Sequence, residues 1–362
     1  MRAVGILAGI GTLLREAQDA GMQVIGNIET RAPYRTIPDV WNLNFPNAPC
    51  IYKLDEGRTI EVHLEHNFYE ADLALGHPPC GAHSILGVAH SLDKDPAERA
   101  FLAARRASRV GLLPLFAGLV NTYRPRAFAL DNLPKILQRV ATPAWWESTL
   151  PKYHLTYITM VNWDYGTPQR RERLWVVGIR KPGKKFELKV PKHRLSGPAT
   201  VWEAISDLPM VEDLPSLAHV HAALDDLPSG SYPTTDDPPA YIRTQGELAA
   251  RYLALHPMAC WPYRTRTTHR LTKKLGRVRL LLDGKSRVIS GGTLQHPLTG
   301  MVLTARERAR LMDWPDDFHL WNGQRIFNRA YHARLQLFTG KAVPSRFPRY
   351  LIPQILRHLK RS

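Results

Sequence analysis

A chain of 362 residues with 44% apolar and 22% charged residues can bury one large core and a smaller second lobe. It carries no uncharged apolar run of about 18 residues, which excludes a membrane-spanning helix. Three cysteines, none in a Cys-x-x-Cys pair, exclude a disulfide framework or a cysteine-rich zinc site and point to a reducing, cytoplasmic setting. Lys and Arg outnumber Asp and Glu by 49 to 32, a formal charge of +17 that favours a polyanionic partner. The basic residues also cluster, in RRASR, QRRER, YRTRTTHRLTKKLGRVR and RHLKRS, so nucleic acid is expected ahead of a mere solubility adaptation.

In chain order, AVGILA reads as a first strand and TLLREAQDAG as a helix closed by Gly21. This start has a signal peptide's apolar stretch, but its glycines at 5, 9 and 11 fit strand, loop and helix better. MQVIGNIE reads as a second strand and DLALGH as a later one. RAFLAARRASRVGLLPLFAGLVNTYRP has helical periodicity, RAFALDNL is a buried strand, and YHLTYITMVNW and RLWVVGIRK are two more. The alternation predicts an α/β fold with a doubly wound, mostly parallel sheet. From about Lys181 Pro and Gly rise and periodicity weakens, until LTARERARLMDW and AVPSRFPRYLIPQILRHLK restore a helical pattern.

Four places carry chemistry. Gly9-Ile10-Gly11 lies between the first strand and helix, where glycines let backbone N–H groups approach a ligand. Glu29, about 20 residues on, suits a carboxylate that accepts ribose hydroxyls, or a solvated strand end. Cys80 follows Pro78-Pro79 beyond a strand, as a nucleophile if its pKa is lowered or as a small buried hydrophobe. His77 and His83 flank it, as groups that tune that pKa or as loop packing. Asp131 ends the buried strand, and Arg171 and Arg173 alternate before another, suited to phosphate or carbonyl oxygens or forming a solvated basic end.

In this order and spacing the elements resemble the DNA cytosine-5 methyltransferase family over nearly the whole chain. LAGIG is similar to its first cofactor loop, NIE to its ribose-binding acid, and GHPPCGAHS to its Pro-Cys nucleophile loop. RPRAFALDNL is similar to the strand ending Glu-Asn-Val, and YGTPQRRERLWVVGIR to the Gln-x-Arg-x-Arg motif. ATVWEAISDLP, HPLTGMVLTARERARLMDWPDDF and TGKAVP are similar to the later motifs.

The resemblance implies a Rossmann-like methyltransferase fold using S-adenosylmethionine, with a smaller target recognition domain. Residues 1–182 would be catalytic and cofactor-binding, 183–324 would hold target recognition, and 325–362 would pack back on the catalytic domain. Cys80 would add to a flipped cytosine in double-stranded DNA, Asp131 would bond its N3 and amine, and Arg173 its carbonyl oxygen. Arg171 would position a loop or phosphate. Leu7, Gly9, Gly11 and Glu29 would hold the cofactor from the first two strands. Asp55 would face its adenine amine, and Pro78, Lys341 and Val343 would complete that site. A monomer without metal is expected.

The chain departs from the family's pattern at defined positions. Gly5 replaces an acid, Leu7 an adenine-stacking Phe, Gly81 a Gln and His83 a Phe. Asp131 is one methylene shorter than the family's Glu, Phe338 replaces a Gln, and Lys341 replaces an Asn beside the donor. An ammonium repels a sulfonium, whereas a donor bearing a carboxylate would make a salt bridge. Carboxy-S-adenosylmethionine as donor and 5-carboxymethylcytosine as product therefore stand beside ordinary methylation. The pattern also leaves room for a tRNA substrate and for a non-catalytic DNA-binding relic.

Overall fold

The computed structural model describes residues 1–30, 36–54, 68–69, 71–78, 112–139, 141–193, 195–198, 200–208, 278–279, 286, 294–295, 303, 305–320, 339–340 and 342–361. Asp55, Cys80, Gly81, His83, Phe338 and Lys341 lie outside the described residues. Contacts divide the chain into two units. The first comprises Met1–Tyr165, Glu172–Arg194 and Ser345–Ser362; the second comprises Gly166–Arg171 and Leu195–Pro344.

The first unit is built on one seven-stranded sheet. Its strands are β1 (Arg2–Ile6), β2 (Gln23–Thr30), β3 (Cys50–Leu54), β4 (Leu73–Gly76), β5 (Ala127–Asn132), β6 (Tyr153–Val161) and β7 (Glu172–Arg180). Their order is β3-β2-β1-β4-β5-β7-β6, with β1 to β5 parallel and β7 antiparallel to both its neighbours. This is the mostly parallel, doubly wound sheet that the sequence predicts.

Every residue of β4 and β5 is buried, which is why LALG and AFALDN read as short apolar runs without alternation. The helix Leu112–Tyr123 lays Phe116 against Phe128 at 5.9 Å, and Phe128 meets Tyr153 edge-on at 5.3 Å. The Tyr153 hydroxyl donates to the Pro125 carbonyl at 2.9 Å, and burial pushes its pKa well above the usual phenol range. Several elements escape the sequence reading, two of them between β2 and β4. One is helix α2 (Thr36–Asn44), whose Ile37, Val40 and Trp41 face inward while its third residue is a proline; the other is β3, which opens on Cys50 after two prolines.

The C-terminal helix Arg346–Arg361 packs on this unit. Arg349 grips Glu16 of helix α1 (Thr12–Asp19) with two bonds of 3.0 and 3.1 Å. Glu16 is 2% exposed, and burial raises its pKa despite the guanidinium. Arg126 donates to the Leu359 carbonyl at 2.7 Å, and Gln354 accepts from the Lys189 amide at 3.0 Å.

The second unit has its own polar framework. The helix Val201–Ile205 is capped by Thr200, whose hydroxyl accepts from the Glu203 amide at 3.1 Å. In the helix Ala305–Leu311, Arg310 bonds both carboxylate oxygens of Asp207 at 3.0 Å and also grips Asp316. Arg308, 1% exposed, donates to the Thr339 hydroxyl at 3.1 Å, and the Trp314 indole donates to the Val343 carbonyl at 2.9 Å.

Candidate active site

Strand order reverses between β1 and β4, because β2 and β3 extend to one side and β4 and β5 to the other. In open α/β sheets a ligand crevice lies outside the carboxyl ends of the strands at such a point. Leu7 to Gly11 follow β1 there, and His77 and Pro78 follow β4.

The first loop is pinned from β2. The Leu7 amide donates to the Ile28 carbonyl at 2.8 Å, and the Ala8 amide to Asn27 Oδ1 at 3.3 Å. The Gly9 amide donates to Glu29 Oε2 at 2.9 Å. Leu7, Gly9 and Gly11 all take positive φ, at 57°, 61° and 93°. Among the described residues a Cβ on Gly9 would meet nothing within 4 Å, so toward them this backbone is open, whereas one on Gly11 would strike Phe45 at 2.5 Å. Glu29 is only 6% exposed, which replaces the picture of a solvated strand end with a carboxylate bonded to the loop. Asn27 is fully buried and holds the same loop. The sequence reading passes over it, although a buried-looking Asn within an apolar strand is the signal.

Strand register assembles the second cluster. Extending the pairs Ile6↔Gly76 and Gly76↔Leu130 by one residue aligns Leu7, His77 and Asp131 along the sheet edge. The His77 amide donates to the Leu7 carbonyl at 3.3 Å, and its Nδ1 lies 2.8 Å from Asp131 Oδ2. Asp131 pairs with Trp175 across the antiparallel ladder, so Arg173, two residues away, shares its face. Arg173 Nη2 lies 3.4 Å from the same Asp131 oxygen, with both side chains at most 1% exposed. Asn132 Nδ2 donates to the Pro78 carbonyl at 3.2 Å, two residues before Cys80. A buried carboxylate, guanidinium and imidazole thus converge beside the segment leading to a thiol.

Arg171 belongs to the second unit, where it is 4% exposed. Its Nη1 lies 3.5 Å from the Gly340 carbonyl and 3.8 Å from Met312 Sδ. Val343 is also buried there, at 2% exposure. Neither arginine is the solvated basic end that QRRER alone allows. Among the described residues no group of three metal-ligating side chains occurs, and no helix is long and apolar enough to cross a membrane.

A reversing parallel sheet, a glycine loop after β1 and a buried charged pair across the β5–β7 ladder form the frame of a Rossmann-like methyltransferase. Comparison with known proteins makes this specific. The C-5 cytosine-specific DNA methylase family matches residues 1–357. The type II methyltransferase M.AquIA of Picosynechococcus sp. is 32% identical over 189 residues, covering 46% of this chain and 73% of its own. M.MthTI of Methanothermobacter thermautotrophicus, another type II methyltransferase, is 26% identical over 305 residues, covering 79% and 78%. A prophage-encoded E. coli structure assigned as a DNA modification methyltransferase has the same fold, with a TM-score of 0.64, 20% identity and full coverage of both chains. The chain belongs to the C-5 cytosine-specific DNA methylase family and is a DNA cytosine-5 methyltransferase.

The family uses S-adenosylmethionine, and the described residues fit such a group. The open face of Gly9, the buried Glu29 carboxylate and a helix α1 with no side-chain cap at Gly11 match a ligand with hydroxyls and an anionic end.

Proposed function

We propose that the enzyme modifies C5 of a cytosine flipped out of double-stranded DNA, with Cys80 as nucleophile and Asp131 and Arg173 holding the base. Duplex stacking shields the target ring, so extrusion precedes chemistry. The Cys80 thiolate forms a bond to C6, and the C5–C6 π electrons move to C5, which becomes enamine-like. Asp131 accepts from the ring N3 and exocyclic amine, stabilising the protonated adduct, while Arg173 donates to the carbonyl oxygen. Leu7, Gly9, Gly11, Glu29, Asp55, Pro78 and Val343 would hold the cofactor, which when bound would supply an electrophilic one-carbon group from its sulfonium to C5 and leave as the neutral thioether. Afterwards the C5 proton leaves to water, the C6–S bond breaks, and the thiolate returns. Arg171 positions the loop around Gly340.

The observation that carries this reading is the buried Asp131–Arg173 pair at the carboxyl edge, beside the strand extension that runs into Pro78-Pro79-Cys80. The net charge of +17 supplies phosphate affinity, and residues 183–324 are assigned to target recognition. The relatives' type II class is carried over to this chain, acting as a monomer on cytoplasmic DNA. The test is covalent trapping on duplex DNA containing 5-fluorocytosine. The parent protein should form an adduct stable to denaturation, and Cys80→Ser should form none. Trapping on tRNA but not DNA would overturn the substrate assignment, and no trapping on either would indicate a relic.

A second reading rests on Lys341. It lies next to buried Gly340 and two residues from buried Val343, in the segment that Arg171 and Trp314 hold. A carboxylate on the donor's transferable carbon would give that ammonium a partner. Mass spectrometry of nucleosides after reaction with each donor decides between them. Efficient 5-methylcytosine formation from S-adenosylmethionine alone would end the carboxymethyl reading.

A further inference from the structure

Asp131 Oδ2 lies 2.8 Å from His77 Nδ1 and 3.4 Å from Arg173 Nη2, and the same His77 nitrogen lies at hydrogen-bond distance, 3.3 Å, from the Asp131 main-chain carbonyl. The Asp131 side chain is fully buried and that of His77 is 10% exposed. An aspartate has two side-chain torsions, so anchoring one carboxylate oxygen also fixes the direction of the other. His77 is in turn held through its backbone. Its amide donates to Leu7, and the carbonyl of the next residue, Pro78, accepts from Asn132. Cys80 follows three residues after His77.

We infer that His77 is a positioning residue, whose Nδ1 clasps Asp131 at both its main-chain carbonyl and its carboxylate and holds that acid in register with the end of β4. The inference rests on the reading of Asp131 as the base-binding acid. A neutral imidazole with its proton on Nδ1 serves, because that nitrogen faces two acceptors of Asp131, the main-chain carbonyl and the carboxylate. The imidazole ties the end of β5 to the end of β4, so Asp131 and the residues that lead to Cys80 start from one sheet edge.

The test compares His77→Asn, whose amide nitrogen falls where Nδ1 stands, with His77→Gln, whose amide nitrogen falls nearer Nε2. Initial rates are measured on unmodified duplex DNA with S-adenosylmethionine, alongside thermal melts. His77→Gln should lower kcat about 10- to 100-fold with the DNA KM within about threefold of the parent. His77→Asn should stay within about fivefold of the parent kcat. Equal kcat in parent and His77→Gln, or equal losses in both variants, would overturn the inference. Asp131→Ala separates the two levels. If it retains activity, the reading of the acid fails; if it is dead while His77→Gln is unimpaired, only the role of His77 fails.

Discussion

The Asn132 side chain donates to the Pro78 carbonyl at 3.2 Å while its own Oδ1 accepts from the Leu133 amide at 2.8 Å. One fully buried amide therefore ties the end of β5 to the chain just ahead of Cys80. Asn132→Ala leaves the Pro78 carbonyl without that donor and should cost about 1–3 kcal/mol in denaturant unfolding. Trapping on 5-fluorocytosine DNA should slow as well. A variant that unfolds and traps like the parent would show that the bond positions nothing.

The two loop glycines should respond differently to alanine. Gly11→Ala forces a Cβ to within 2.5 Å of Phe45 in a left-handed backbone and should destabilise by at least about 2 kcal/mol. Gly9→Ala meets open space, so only backbone strain of about 1 kcal/mol is expected in the ligand-free protein. On the proposed reading its methyl group would enter the cofactor's side of the loop. Calorimetric titration with S-adenosylmethionine should show weakened binding for Gly9→Ala in a protein that still melts near the parent.

Arg173 is almost wholly buried against Asp131. Removing one partner of a buried charge pair leaves the other uncompensated, so Arg173→Ala should cost about 3–5 kcal/mol of stability. Arg173→Lys keeps the charge but loses the planar fork. It should remain folded by circular dichroism yet lower kcat by at least about tenfold.

The readable parts of the fold and site share a physical cause. β1, β4 and β5 are buried on both faces and carry little but apolar side chains, so they stand out, as do the glycines and Cys80 at their ends. β3 and α2 do not stand out, because prolines at 38, 46 and 49 break the local pattern that burial later organises. Glu29, Asp131 and Arg173 are legible as residue types in a spacing. The partners of Asp131 need the β4–β5 and β5–β7 registers, which no local pattern encodes. Asn27 is legible only as an Asn inside an apolar strand, its bond to the loop needing the β1–β2 register, and His77 is visible only as a neighbour of Cys80.

Glu16 gives the fold a predictable response to pH. Burial outweighs its bond to Arg349 and raises its pKa above the ordinary 4.5. The unfolded chain thus ionises first. The stability owed to the protonated carboxyl is complete below about 4.5 and is lost as pH rises through the folded-state value. Glu16→Gln keeps the shape without the titration. The parent should gain stability relative to this variant as pH falls from 7 towards 4.5, measured as urea midpoints. A constant gap between the two would refute the assignment.

The Glu16–Arg349 clasp joins residues 333 positions apart in sequence. Helix α1 begins at the glycine loop, so β2 supports that loop early, and the support that Arg349 adds through α1 follows only once Ser345–Arg361 has been synthesised. During translation the early strands must wait for a late helix, a demand of high contact order that slows closure of the native topology. Completion of the scaffold behind the glycine loop thereby waits on residues far downstream. Truncated products would carry the nucleophile without a finished scaffold behind it.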